Sequence, residues 1–477
     1  MRYKGLKHIL VPCAAAVFSL GASVTSYAAT GWRMEDGNWY YYTSDGTRAT
    51  ETWKKSGNYW FWLDSNGEMA TESLIEDGDD YYYVNGDGAM VKNGWRKTEN
   101  PDSNDSENEE SWYYFDNTGK AYKAPDSGRT SFKNIKKADG STKKYAFDSE
   151  GRMLYGWVNE ESERLTDEEA WKEGIYYLGE EDDGAQRSFQ WERLEVEDDD
   201  NEKDDFDGTY WFYFGSNGKK ISDGTKKING RKYRFEENGN AVFNWYLKAS
   251  SSTASPSDFY YNSPEQCWQA EGWFKSVPDE ELDKEGYDNG DEYWFYAQKS
   301  GELVKSQIKK INGYDYGFNE KGEMLHGLYK LTFDGKEIIS SDEIESQDDL
   351  PDGEDDCEVY YFGDSPKEGA AKLGITTIKL DGESYTYHFQ KTGSGRARGY
   401  NGIHDGSIYV KGRLLKADKD YKMEIVTWGD QEYLVNTSGK IQKNKKNVKD
   451  ADGIYYCTDN KGIVTYRGDE KWTKEDE

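Results

Sequence analysis

Apolar and polar positions alternate in short bursts through residues 31–95, and the bursts recur at a fixed interval. Trp32, Trp53, Leu74 and Trp95 stand 21 residues apart, as do Trp39, Trp60 and Tyr81, and as do Gly46, Gly67 and Gly88. Each unit opens on a Gly-Trp-like pair, passes a Gly or Asp turn, and enters an aromatic triplet: WYY, WFW, YYY. A polar turn follows, with Gly seven residues after the first ring of the triplet. Aromatics between turn residues predict one short β-hairpin per unit, with Gly supplying positive φ. In NWYYYT the side chains alternate, so Trp39 and Tyr41 face one way and Tyr40 and Tyr42 the other. One face then stacks on the next hairpin and the other is left for a ligand.

Beyond Trp95 a polar, acidic stretch at 97–111 interrupts the period, which resumes at Trp112. From there a larger unit of two hairpins recurs at 112–157, 211–245 and 294–328, with worn copies at 360–400 and 432–466. The second hairpin keeps its turn glycine (Gly151, Gly239, Gly322, Gly393, Gly462) even where rings are lost. Acidic inserts at 158–174, 192–208, 278–292 and 342–358 read as surface loops, with short helical turns around 165–171 and 278–282. Residues 401–430 fit the repeat least, although 406–412 read as another hairpin. No stretch of ~100 residues, an ordinary domain size, falls outside the array. The expectation is an all-β chain, an elongated β-solenoid of tandem β-hairpin repeats with acidic loop insertions. Its expected divisions are a signal peptide at 1–28, the 21-residue repeats at 29–96, two-hairpin repeats at 97–467, and a polar tail at 468–477.

Composition agrees with that architecture. Aromatics make up 16% of residues, Gly numbers 50 and Pro only 8, while Leu, Ile and Val are sparse. Such a chain cannot fill a large aliphatic core, but flat hairpins can bury their faces against one another. The wealth of Tyr and Trp sets it apart from a disordered chain of equal polarity. Lys and Arg total 61 against 92 Asp and Glu, a formal net charge of −31. That balance excludes nucleic acid as a partner, which needs clustered basic residues, and favours cationic groups over bare polyanions.

Arg2, Lys4 and Lys7 precede an apolar run at 9–20 and small residues near 26–28, the make-up of an export signal too short to span a bilayer. No later segment is apolar enough for a membrane span, so the expected location is secreted, at the cell surface. Cys267, Cys357 and Cys457 are odd in number and widely spaced, and read as free thiols rather than a disulfide or zinc framework. His326, His388 and His404 are isolated, and no GxSxG, HExxH or Cys-His pairing occurs, so no catalytic residue is expected. Among 92 acids, sequence alone singles out no glycosidase-like carboxylate pair. The acidic runs at 198–202 and 352–358 lack EF-hand spacing, so neither a metal nor a cofactor is expected.

The stretches GWRMEDGNWYYYTSDGTRAT and KKINGRKYRFEENGNAVFNW resemble the cell-wall-binding repeats of Gram-positive surface proteins. These are the choline-binding type, with relatives in glucan-binding proteins and in the C-terminal repeats of clostridial toxins. The resemblance covers nearly all of residues 31–467. It implies stacked hairpins and, in the choline-binding branch, a ligand caged between successive hairpins by the Gly-Trp indole and triplet rings. A quaternary ammonium has no proton to donate, so π faces suit it, at ~0.5–2 kcal/mol per contact.

The candidate ligand-binding groups are Trp32 with Trp39 and Trp60, Trp53 with Trp60 and Tyr81, Trp95 with Trp112, and Trp273 with Trp294. The same rings would serve a repeat protein equally well as core. Leu74 and Leu328 replace the indole, and Lys144, Lys232 and Asp315 replace the first ring, so those hairpins read as spacers. The function implied is non-catalytic attachment to choline-bearing teichoic acid or a related envelope polymer. It would be non-covalent, since no LPxTG-like sorting sequence stands near Glu477. Recognition of a glucan or host glycan is the alternative, and a cell-wall hydrolase a weaker one. Choline, glucan and host glycan stay open at this point, as does the oligomeric state.

Overall fold

A computed structural model describes residues 30–99, 110–199, 201, 206–247 and 258–473. The export signal read at 1–28 lies outside them, as do 100–109 of the first acidic stretch, Asp200 and Glu202 of the 198–202 run, and the last four residues of the tail. The described chain is strand with little helix, which is confined to Ala170–Glu173, Lys284–Asn289 and a 3-10 turn at Gln347–Asp349. Both helices start a few residues later than the expected turns. The first forms where Ala170 and Trp171 become buried, and the second ends on the left-handed Gly290. The chain divides into one unit of 1–192 with 213–221 and another of 193–212 with 222–477.

The first unit opens on four hairpins: β1 (Gly31–Glu35) with β2 (Asn38–Tyr42), β3 (Thr52–Ser56) with β4 (Tyr59–Leu63), β5 (Ser73–Asp77) with β6 (Asp80–Val84), and β7 (Gly94–Glu99) with β8 (Glu110–Phe115). Next come β9 (Lys133–Lys136) with β10 (Thr142–Tyr145), then β11 (Trp157–Val158), which pairs with both β12 (Arg164–Leu165) and β13 (Tyr176–Tyr177). The insert at 158–174 is thus partly strand and helix rather than loop alone. Each early hairpin buries one face: Tyr40, Phe61 and Tyr113 are nearly solvent-free, and Leu63, Val84 and Phe115 wholly so.

The polar turn after each hairpin has a repeated mechanism. The side chains of Asp64, Asn85 and Asp148 each accept the backbone N–H groups two and four residues on. Gly67 lies inside such a turn at φ +78°, and a Cβ there would stand 3.1 Å from the Ala49 carbonyl oxygen of the preceding hairpin. Glycine is required there for conformation and for closeness at once. Two residues later the chain latches backward: Met69 N–H donates to the Trp39 carbonyl at 2.9 Å and Met90 N–H to that of Trp60 at 2.8 Å. Ala121 and Met153 repeat the bond to Tyr81 and Trp112, both at 2.8 Å. These bonds stack one hairpin on the previous one, giving a solenoid of tandem hairpins within the unit.

The second unit uses the same parts. Gly272–Ser276 pairs with Tyr293–Ala297, Gln307–Ile311 pairs with Tyr314–Phe318, and Met324 N–H latches to the Trp294 carbonyl at 2.8 Å. Wider sheets then appear. Glu337–Glu343, Gly327–Asp334, Glu358–Gly363 and Ala370–Ala371 form a four-stranded sheet, so strand and a 3-10 turn enter the insert expected as loop at 342–358. The hairpin expected at 406–412 is part of a five-stranded sheet in the order Gly374–Leu380, Glu383–Phe389, Arg413–Leu414, Ser407–Val410, Gly402–His404. Cys267 and Cys457 are buried and Cys357 half-buried, all as free thiols. Among the described residues no helix is long and apolar enough to cross a membrane.

Candidate aromatic binding sites

Two-residue turns set the register of the first two hairpins, and the register places the rings. In β1–β2, Trp32 lies opposite Tyr41 and Met34 opposite Trp39. In β3–β4, Trp53 lies opposite Trp62 and Lys55 opposite Trp60. Cross-strand partners share a face, so each Gly-Trp indole leans on the third ring of its own triplet. Trp32 meets Tyr41 edge-on at 5.4 Å and Phe61 of the next hairpin at 5.4 Å. Trp53 meets Trp62 and Tyr82, each at 5.2 Å, and its Nε1–H donates to Asp77 at 3.1 Å. The rings in direct contact with Trp53 are thus Trp62 and Tyr82.

The pairs Trp95 with Trp112 and Trp273 with Trp294 do come together. Trp95 and Trp112 stand 6.3 Å apart at 86°, and Trp273 and Trp294 stand 6.3 Å apart at 89°. Each corner takes in a third ring of its own hairpin, Tyr114 at 5.1 Å from Trp95 and Tyr296 at 5.1 Å from Trp273. Each is closed by the following hairpin, through Tyr145 at 4.9 Å and Phe147 at 5.9 Å in one, and Tyr316 at 4.8 Å and Phe318 at 5.8 Å in the other. Met153 and Met324 pack into the same clusters. Five rings thus recur in one arrangement, once in each unit. Offset and edge-to-face packing of this kind presents ring faces at right angles, which suits a rounded cation.

Trp32, Trp39, Trp53, Trp60, Tyr81, Trp95, Trp112, Trp273 and Trp294 are all half-buried, packed on one side and open on another. Charges of both signs lie nearby, for Lys55, Lys97 and Lys275 stand opposite Trp60, Trp112 and Trp294 across their hairpins. Trp112 Nε1–H donates to Asp182 at 3.0 Å, and this bond, with the charge of Lys97 added, holds the Asp182 carboxyl below its ordinary range. Burial pushes Tyr145 and Tyr316 upward, so both phenols stay neutral. Leu74, at an indole position, joins instead the cluster around Val91, Tyr113 and Phe115. Leu328 is buried, and Asp315, at a first-ring position, pairs with Arg396 at 2.6 Å. No group of three or more potential metal ligands occurs among the described residues.

Residues 49–95, the segment that contains the Trp53–Trp62–Tyr82 group, match a choline-binding repeat. No curated protein matches it by sequence. Similar solved structures include choline binding protein F of Streptococcus pneumoniae, at 17% identity over 81% of this chain and 98% of that one, with a TM-score of 0.38. CbpJ of the same organism is 17% identical over 81% of this chain and 100% of its own, with a TM-score of 0.37. The modular autolysin LytC of Streptococcus pneumoniae is 18% identical over 64% of this chain, with a TM-score of 0.35; the chain spans 55% of its length.

Tyr41, Trp62, Tyr114 and Tyr296, the immediate partners of the Gly-Trp indoles, were not among the sequence candidates. For Tyr41 and Trp62 the signal was present in the two-residue turns. A hairpin turning on Gly57 and Asn58 must set Trp53 against Trp62.

Proposed function

We propose that the protein is a secreted, non-catalytic cell-wall-binding protein that attaches non-covalently to choline-bearing teichoic acid or a related polymer. In this reading residues 1–28 direct export, 29–96 and 97–467 bind as two classes of repeat, and 468–477 are a polar tail. The observation that carries it is the recurrence of one five-ring corner, at Trp95 and again at Trp273, on a chain whose residues 49–95 are choline-binding repeat. Trimethylammonium is the ligand these faces suit. The rings hold their geometry without it, so little rotamer entropy is lost on binding. A polymer with many such groups gains avidity from sites that are individually weak.

The test is elution and fluorescence. Millimolar choline should release the full chain from choline-bearing wall and quench its tryptophan emission, and Trp95→Ala with Trp273→Ala should weaken both effects. The acidic partners of the indoles, Asp77 at Trp53 and Asp182 at Trp112, favour a second reading. Sugars stack on rings and also need such acceptors, so retention on dextran with indifference to choline would select a glucan or host glycan.

A further inference from the structure

We propose that a cavity in the first unit, walled by Tyr155 and Arg164, is a second binding site that takes a short peptide bearing a free carboxylate and a free amine. The cavity holds about 720 Å³, with Trp112, Asp126, Arg152, Tyr155, Glu161 and Arg164 among its walls. That volume lies within the range of small-molecule sites and far exceeds one trimethylammonium group.

Its walls are tied in place. Ala124 N–H donates to the Asp148 carbonyl at 2.8 Å, Thr130 N–H to the Glu160 carbonyl at 2.7 Å, and Ser162 N–H to the Thr130 hydroxyl at 2.9 Å. The space is therefore formed before any ligand arrives.

Two arginines line it and differ sharply. Arg152 is satisfied, with Asp148 at 2.6 Å and Glu150 at 2.8 Å. Arg164 stands over the Tyr155 ring at 3.8 Å and forms no ion pair among the described residues, and its buried Nε has no hydrogen-bond partner. A guanidinium stays charged and offers a planar fork that matches a carboxylate in two parallel bonds. Arg164 is thus a preplaced cation awaiting acceptors.

A simple anion does not fit the rest. Among the described residues Asp126 and Glu161 form no ion pair, and Glu110 on the same wall reaches Lys97 at 4.0 Å. Those carboxylates repel a second negative charge and attract an ammonium. The occupant must bring both signs, separated by several bonds, and a peptide of a few residues does so. Trp112 also borders the Trp95 corner, but Arg164 makes no ring contact or hydrogen bond with that corner. The two sites can therefore be read apart.

The experiment is calorimetric titration of the full chain with the peptide Ala-Glu-Lys-Ala-Ala, its lysine amine and terminal carboxylate free. One-to-one binding is expected, weakened about tenfold or more when the carboxylate is amidated or the amines are acetylated. Arg164→Gln should abolish it, Arg164→Lys should leave a fraction, and neither should alter choline binding, which also shows that the variants are folded. Asp126→Asn with Glu161→Gln should weaken the free peptide and spare the acetylated one. No binding, equal binding of the blocked peptides, an unaffected Arg164→Gln variant, or displacement of the peptide by phosphocholine would each overturn the proposal.

Discussion

Trp53 and Leu74 occupy the same position of consecutive repeats, yet their surroundings assign them different work. Trp53 is half-open, braced by Trp62 and Tyr82, with its N–H on Asp77. Leu74 packs toward Val91, Tyr113 and Phe115. At ~0.5–2 kcal/mol for a cation–π contact, Trp53→Ala should weaken choline at its site roughly 2- to 30-fold. Leu74→Ala should lower the unfolding midpoint and leave the titration unchanged. Equal losses of binding would make both residues core. A second residue-scale effect concerns pH. Glu323 is buried, its Oε2 accepts from Asn319 at 2.7 Å, and its other oxygen finds no N–H donor. Burial, reinforced by the neighbouring Asp283 carboxyl, pushes Glu323 from 4.5 up to about 7, while Lys321, 2.6 Å from Asp283, pulls the other way. A carboxyl raised on folding favours the protonated native state. Its contribution is complete below pH 4.5 and is lost as pH climbs toward 7. Glu323→Gln should flatten that arm of the urea midpoint against pH; an unchanged slope would assign the arm to other groups.

At the scale of the hairpin, the turn and the latch are what make repeats stack, and two glycines separate their contributions. Gly57 sits at φ +58° with nothing within 4 Å of an added Cβ, whereas Gly67 sits at φ +78° with the Ala49 carbonyl 3.1 Å away. Gly57→Ala should cost ~1 kcal/mol for backbone conformation alone, and Gly67→Ala ~2 kcal/mol or more, because the preceding hairpin must also move. Denaturant unfolding of the two variants measures the difference, and equal costs would remove the stacking contact from the argument. The same elements explain what could be read in advance. Period, triplet and turn glycine mark every early hairpin, and two of the indole corners, Trp95 with Trp112 and Trp273 with Trp294, could be named. The partners of Trp53 could not be found by matching positions one period apart, because a ring's neighbour is set by register around its own turn. Register about Gly57 and Asn58 leads to Trp62. The wider sheets were less legible for a different reason. Gly327–Asp334 is flanked by Glu337–Glu343 on one edge and Glu358–Gly363 on the other. Recruitment of the second edge depends on tertiary contact across an acidic insert, which leaves no periodic trace.

Across the whole chain, the proposed ring sites would act together with a formal charge of −31. A wall polymer that carries phosphate and choline presents an anion that the protein repels beside a cation that its rings attract. Salt separates the two, since the screening length falls from about 30 Å at 0.01 M to about 8 Å at 0.15 M. Long-range repulsion is removed while a cation pressed against ring faces is little affected. Retention on a choline-bearing polymer should therefore hold steady or rise with salt, and free choline should still elute the protein at high salt. Salt-driven release with no effect of choline would mean that net charge, rather than the rings, holds the polymer. Valency supplies the companion measurement. Linked sites can gain ~10²–10⁴ over one alone when the polymer reaches both. Trp53→Ala and Trp95→Ala, both in the first unit, should each weaken monomeric choline modestly, and together release the polymer far more than either alone. If the double variant keeps its hold on the polymer, attachment does not run through these corners.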